Sequence, residues 1–285
     1  MLTDESARKR IILEHCRRLN AGDVGGLLDL YAEDVRFEDP VGGGERAGRE
    51  ELRAHFARAV EANAREVPGE PVASQDGVHA LVPVSATLDG PAAGPGGVRS
   101  IEREYVLMLR VGAGGLIEEL RAFWGAAEAG TDDAVRKNAP LEYARRINAG
   151  DLDGVMELFT DDIVFEDPVG SPPVRGKAAI RQNIAWAIEC KVHEVPGRPV
   201  LALDGRTVVA PSVVTTSYPS NMRYQVIGVS EVDGNGLTRS LKAYWGITDV
   251  SLPDAPRLTG VAHSLAVTER LIENVRLSEA RAGSS

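Results

Sequence analysis

The segment from residue 15 to residue 42 is written again 128 residues later, with 15 of its 28 positions identical. The identities are Arg17, Arg18, Asn20, Ala21, Gly22, Asp23, Gly26, Leu30, Asp34 and the whole string FEDPVG, which runs from Phe37 to Gly42 and returns from Phe165 to Gly170. Pro68, Gly69, Pro71, Val72, Asp76, Gly77 and Pro83 meet their like at the same offset. From Gly115 the offset falls to 121, pairing Leu116, Ala122, Trp124 and Gly125 with Leu237, Ala243, Trp245 and Gly246. The deficit is assigned to the loop GPAAGPGG. A period of this length exceeds that of solenoid repeats and is long enough to enclose a core of its own. The sequence therefore predicts two tandem domains, 1–128 and 129–252, and a C-terminal tail over 253–285.

Inside each copy the apolar spacing changes from helical to alternating. Ile11, Ile12, His15, Cys16 and Leu19 predict a helix over 5–20, and Asp23 then caps a short helix ending near Tyr31. Asn138 and Pro140 mark the start of the equivalent helix in the second copy. A third helix is predicted over 48–62, matched by 178–190, followed by extended segments at 66–74, 78–88, 100–111 and 116–126. Helices before strands imply an α+β fold with the helices on one face of a sheet. In the tail, Leu265, Leu271, Ile272 and Val275 form a stripe on a helix over 261–281, suited to packing on the second domain or between subunits.

Composition narrows the function classes. The 285 residues are 43% apolar and 26% charged with a formal charge of -10, which fits a soluble cytoplasmic protein and argues against nucleic acid and anionic membrane as partners. No apolar run approaches the roughly 18 residues of a membrane span, and the opening MLTDESARKR does not read as a signal peptide. Cys16 and Cys190 occupy unmatched positions and read as packing residues, and the five histidines have no metal-ligand spacing, so neither disulfide nor metal is expected. A homo-oligomer is left open.

Chemistry is suggested by carboxylates that the two copies share. Asp39 and Asp167 each precede Pro, which biases them to extended backbone at the end of an element. An Asx-type turn would account for either alone. Glu66 and Glu194 lie 27 residues after them, in AREVPGEPV and VHEVPGRPV, while neighbouring positions drift between copies. Their alternative reading is an exposed strand residue in a surface ion pair. Glu38 and Glu166 alternate away from the Asp and are expected to be solvated. Two carboxyl groups in a dry apolar cavity take different pKa values, one staying ionised as a base and the other keeping its proton as an acid. Such a pair serves a hydroxyl attacking an epoxide, where one oxygen loses a proton as the other gains one. That chemistry requires no metal or cofactor.

The NAGD string, the short helix after it, EDPVG and the helix and strands that follow resemble the nuclear-transport-factor-2-like superfamily, with its ketosteroid isomerase and SnoaL-like branches. The resemblance implies tandem cone-shaped domains, each a curved mixed or antiparallel sheet wrapped by about three helices around a pocket. The isomerase general base matches Asp167 and its oxyanion-hole tyrosine matches Tyr143, but its second oxyanion donor falls at Gly228 and Leu107, neither of which can donate. The chain also resembles the polyether epoxide hydrolases of the lasalocid type, which have two fused domains, each with an Asp-Pro motif, a Glu 27 residues on and a terminal aromatic-Trp-Gly. Here those are FWG at Phe123 to Gly125 and YWG at Tyr244 to Gly246. The resemblance implies general bases at Asp39 and Asp167, general acids at Glu66 and Glu194, and no cofactor. It also implies a linear polyketide polyepoxide as the small-molecule substrate, closed to successive cyclic ethers. The order of the domains is swapped relative to that type, the first copy with His15 resembling the second domain. His15, Tyr105, Trp124, Tyr143, Tyr244 and Trp245 are the candidate substrate-binding residues. A SnoaL-like polyketide aldol cyclase, needing the Asp without the Glu, and a non-catalytic apolar-ligand-binding protein are the competing readings.

Overall fold

Each repeat builds three helices and a sheet, with two strands out of the predicted order. The computed structural model describes residues 4–91, 98–125 and 131–282. The first repeat runs α1 (Glu5–Asn20), α2 (Val24–Leu28), β1 (Tyr31–Glu38), β2 (Arg46–Ala47), α3 (Arg49–Glu61), β3 (Arg65–Pro68), β4 (Val72–Ala73), β5 (His79–Pro91), β6 (Val98–Val111) and β7 (Ile117–Phe123). The second runs α4 (Thr131–Asn148), α5 (Leu152–Glu157), β8 (Phe159–Glu166), β9 (Val174–Arg175), α6 (Lys177–Glu189), β10 (His193–Pro196), β11 (Val200–Leu201), β12 (Thr207–Thr216), β13 (Met222–Val232), β14 (Thr238–Tyr244) and β15 (Val250–Ser251), and then α7 (Gly260–Ala282). The chain divides into two compact units, Met1–Ala127 with Val200–Gly205, and Glu128–Pro199 with Arg206–Ser285.

The helix entries follow from the repeated NAGD. Gly22 and Gly150 both take φ of +70°, where a side chain is strained, and so end α1 and α4. Asp23 and Asp151 then accept the amide N–H of Gly26 and Gly154 at 2.8 and 2.9 Å. A Cβ at Gly26 would stand 2.1 Å from the Asp23 carboxylate, which explains the repeated glycine.

In the first domain the strands lie in the order β2-β1-β7-β6-β5-β3, with β4 beside β5, and in the second β10-β12-β13-β14-β8-β9, with β11 and β15 beside β12 and β13. β1 with β7 and β8 with β14 are parallel, whereas β1–β2, β3–β5, β4–β5, β5–β6, β6–β7, β8–β9, β10–β12, β12–β13, β13–β14 and β13–β15 are antiparallel. Both sheets are mixed. Strand β1 corrects the expectation that all strands follow all helices, and Tyr31, predicted to close a helix, is its first residue. Its buried residues are Tyr31, Val35 and Phe37, a spacing neither alternating nor helical, because the register against β7 shifts between Tyr31 and Arg36.

Two further expectations are corrected. Pro140 lies inside α4, which begins a full two turns earlier at Thr131. On α7 the docked stripe is Val267 and Leu271, packed with Tyr224 and Trp245, whereas Leu265, Ile272 and Val275 are 59%, 46% and 56% exposed. Asn274 continues the docked face, its Oδ1 accepting the Trp186 Nε1–H at 2.6 Å. Most of GPAAGPGG, at 92–97, lies outside the described residues, but β5 and β6, of 13 and 14 residues, are longer than β12 and β13, of 10 and 11.

In the first domain Ile12, Leu19, Leu27, Leu52 and Phe56 on the helices pack against Val82, Val84, Leu107, Leu109, Leu120 and Ala122 on the sheet. Each of these side chains larger than alanine contributes about 1.5–3 kcal/mol by leaving water, and together they hold the helices over one sheet face. No helix among the described residues is long and apolar enough to cross a membrane.

Candidate active site

Parallel pairing decides where the aspartates stand. Because β1 and β7 run in the same direction, Asp39, just past the end of β1, meets Trp124, just past the end of β7. The Trp124 Nε1–H donates to Asp39 Oδ1 at 2.6 Å, and in the second domain Trp245 Nε1–H donates to Asp167 Oδ1 at 2.7 Å. Both Asp-Pro peptide bonds are cis. The preceding glutamates close the turn: Glu38 Oε1 accepts the Gly42 N–H at 2.8 Å and Glu166 Oε1 the Gly170 N–H at 3.0 Å. Glu38 is therefore not simply solvated; it also pairs with Arg121 at 3.3 Å and its side chain is 19% exposed.

The glutamates are set by edge strands. Alternation along β3 and β10 turns Val67 and Val195 outward, 68% and 54% exposed, and turns Glu66 and Glu194 inward. Glu66 is 7% exposed. Its strand is fastened by Asn20, whose Nδ2 donates to the Glu66 carbonyl and whose Oδ1 accepts the Glu66 N–H, both at 2.7 Å. Asn148 holds Glu194 by the same two bonds, each also 2.7 Å. The Tyr105 hydroxyl donates to Glu66 Oε1, while Oε2 is buried without a hydrogen-bond partner among the described residues. Glu194 takes its hydrogen bond from Ser212 instead.

The two sites differ in their electrostatics. Burial pushes Asp39 up, but hydrogen bonds from His55 and Trp124 and the nearby Arg46 outweigh it and leave this carboxyl below its usual range. Asp167 has burial opposed only by the Trp245 N–H, and its pKa is raised. Burial pushes Glu194 up to about 7, with the Asp167 charge adding to the shift and the Ser212 hydrogen bond opposing it. Both carboxyls of the second domain are thus held above their ordinary range, Glu194 near neutrality.

The aromatic residues divide. Tyr143 is held well above the usual phenol range by burial and by the charges of Glu194 and Asp167. His15 is buried beside Tyr31, whose hydroxyl lies 2.6 Å from its Nδ1, and burial lowers its pKa against the pull of Glu66 and Asp39. Tyr105, Trp124 and Trp245 contact the carboxyls directly. Tyr244 does not share that side: alternation along β14 turns it to the face opposite Ala243, which packs with Trp245.

Sequence reasoning missed His55, Arg46, Arg103, Ser212 and Tyr224. His55 bonds Asp39 at 2.9 Å, Arg103 stacks its guanidinium 3.6 Å from the Trp124 ring, and Tyr224 replaces that cation with an edge-to-face contact on Trp245 at 5.1 Å. None repeats at its matched position, so a comparison of the copies passes over all of them. Among the described residues no three His, Cys, Asp or Glu gather as a metal site would require.

Each half sets an aspartate and a glutamate on a helix-covered sheet, and the SnoaL-like domain model matches the chain twice, over residues 12–120 and 141–239. The chain belongs to the SnoaL-like family. It is 35% identical over 278 residues to "Epoxide hydrolase LasB" of Streptomyces lasalocidi, spanning 88% of this chain and 98% of that protein. It is 28% identical over 119 residues to "Steroid Delta-isomerase" of Nocardioides simplex, spanning 42% of this chain and 96% of the isomerase. A solved structure of SalBIII, called an epoxide hydrolase/cyclase-like enzyme with a role in pyran ring formation in the polyether salinomycin, is 28% identical. That match covers 42% of this chain and 98% of the SalBIII chain, with a TM-score of 0.41.

Proposed function

We propose that this chain is a cofactor-independent epoxide-opening cyclase of polyether biosynthesis, in which each domain closes one cyclic ether on a linear polyketide polyepoxide. The observation that carries this reading is the likeness to LasB, which spans 98% of that epoxide hydrolase and 88% of this chain.

In each domain a substrate hydroxyl gives its proton to the aspartate as its oxygen forms a bond to an epoxide carbon. The C–O bond of the epoxide breaks on the far side, and the released oxygen takes a proton from the glutamate. The product is an isomer of the substrate, and the proton passes from Asp back to Glu before the next turnover. Asp39, held ionised, suits the base in the first domain. In the first domain the acid is Glu66, whose Oε1 is engaged by Tyr105 while its buried Oε2 is not. Glu194, with a pKa of about 7, retains a proton to give at neutral pH. The indoles of Trp124 and Trp245 orient the base and help exclude water.

Turnover of a linear hydroxy bisepoxide by Asp39→Asn, Glu66→Gln, Asp167→Asn and Glu194→Gln tests the assignment. Each variant should lose one ring closure and keep the other. An aldol cyclase would tolerate both Glu→Gln changes, and a binding protein would turn over nothing at all.

A further inference from the structure

Asp39 has a hydrogen-bond donor that its counterpart lacks. His55 stands on α3 one turn beyond Leu52, with Nε2 2.9 Å from Asp39 Oδ2, the oxygen not used by Trp124. On the other side of the ring, Arg46 Nη2 is 3.2 Å from His55 Nδ1. A guanidinium has donors only, so Nδ1 accepts in this contact and the ring proton sits on Nε2, directed at the carboxylate. Arg46 is in turn placed by its pairing with Phe37 across β1 and β2, with Cζ 4.4 Å from that ring centre. In the second domain Val174 pairs with Phe165 in the place of Arg46. α3 and α6, both of 13 residues, keep the 128-residue offset, so Asn183 stands where His55 does, and it is exposed.

We propose that His55, backed by Arg46, is a positioning residue for the first domain alone, fixing both oxygens of Asp39 in a single orientation before substrate arrives. This rests on the acid-base reading of the dyad given above. Among the described residues Asp167 accepts a side-chain hydrogen bond at one oxygen, from Trp245, so the two ring closures begin from unequal bases. The titratable and charged groups around Asp39 are His15 from α1, Tyr31 from β1, Arg46 from β2, His55 from α3, Arg103 and Tyr105 from β6, and Glu66 from β3, which acts on the same His15, Tyr31 and Tyr105. Of these, His55 is the one in hydrogen-bond contact with the Asp39 carboxylate.

The test uses the full chain with His55→Phe and His55→Gln, the latter keeping an N–H near the place of Nε2. One readout needs no substrate: the titration of the Asp39 side chain, followed by carbon NMR. The midpoint should rise by about one unit or more in the Phe variant and return most of the way in the Gln variant. On a linear hydroxy bisepoxide, the Phe variant should lose about tenfold to a hundredfold in kcat for the first-domain ring closure. Its KM should stay within about twofold and the second-domain closure should be unchanged, as expected for loss of one charge-assisted hydrogen bond. An unmoved midpoint, a Gln variant no better than Phe, or equal loss of both closures would overturn the proposal. If the wild-type chain opens no epoxide, the proposed function fails, yet the Asp39 midpoint still decides the role of His55.

Discussion

Asn20 and Glu66, 46 residues apart, are joined by a pair of reciprocal backbone bonds of 2.7 Å: the side-chain amide of Asn20 both donates to and accepts from the peptide of Glu66. The last residue of a helix thereby fixes an edge strand and, with it, the direction of a buried carboxyl. Asn148 and Glu194 repeat the arrangement.

Asn20→Ala is expected to cost about 1–3 kcal/mol of stability, two partly buried bonds being lost, and to depress the first-domain ring closure through kcat. Asn148→Ala acts at a more exposed site and should cost less. Thermal unfolding and domain-resolved product analysis check both.

Glu194 should make the protein less stable as pH rises from about 4.5 to about 7. In that window the unfolded chain has released the proton and the folded chain still holds it, so ionisation favours unfolding; the cost, about 3 kcal/mol, stays constant at higher pH. Glu194→Gln removes it. Its melting temperature should exceed that of wild type at pH 8 and the advantage should vanish near pH 4, although the second ring closure is lost.

Trp245→Phe should harm its site more than Trp124→Phe harms the first. The Trp245 N–H alone opposes the burial that raises Asp167, whereas Asp39 keeps His55. The alkaline shift of the rate profile for each closure measures this; equal shifts would contradict it.

Asn274→Ala leaves the Trp186 N–H without its acceptor and should loosen α7 at a cost of about 1–2 kcal/mol. A red shift of tryptophan emission at an earlier point in a urea titration than in wild type is the expected signal.

Much of the architecture is legible in the residues themselves. A repeat long enough for a domain, Asp-Pro at an element end and Trp-Gly after the last long strand give the duplicated α+β fold and the Asp and Trp that meet. The rest is hidden for identifiable reasons. A register shift breaks the alternation of Tyr31, Val35 and Phe37 and conceals β1. Pro140 misplaces the start of α4 because the helix runs through it rather than beginning at it. His55, Arg46, Arg103 and Ser212 escape because matching two copies reveals what they share, while the chemistry that separates them sits where they differ.

The parallel pairing of β1 with β7 has a bearing on assembly. Asp39 emerges from synthesis early in its domain and Trp124 is 85 residues behind it, with 78 between Asp167 and Trp245. Antiparallel hairpins among β5, β6 and β7 form from near neighbours, but the carboxylate gains its indole only when the final long strand slots beside the first. Each aspartate therefore lacks its indole until β7 or β14 has been made, and a nascent chain released short of that strand would carry the acid without its partner.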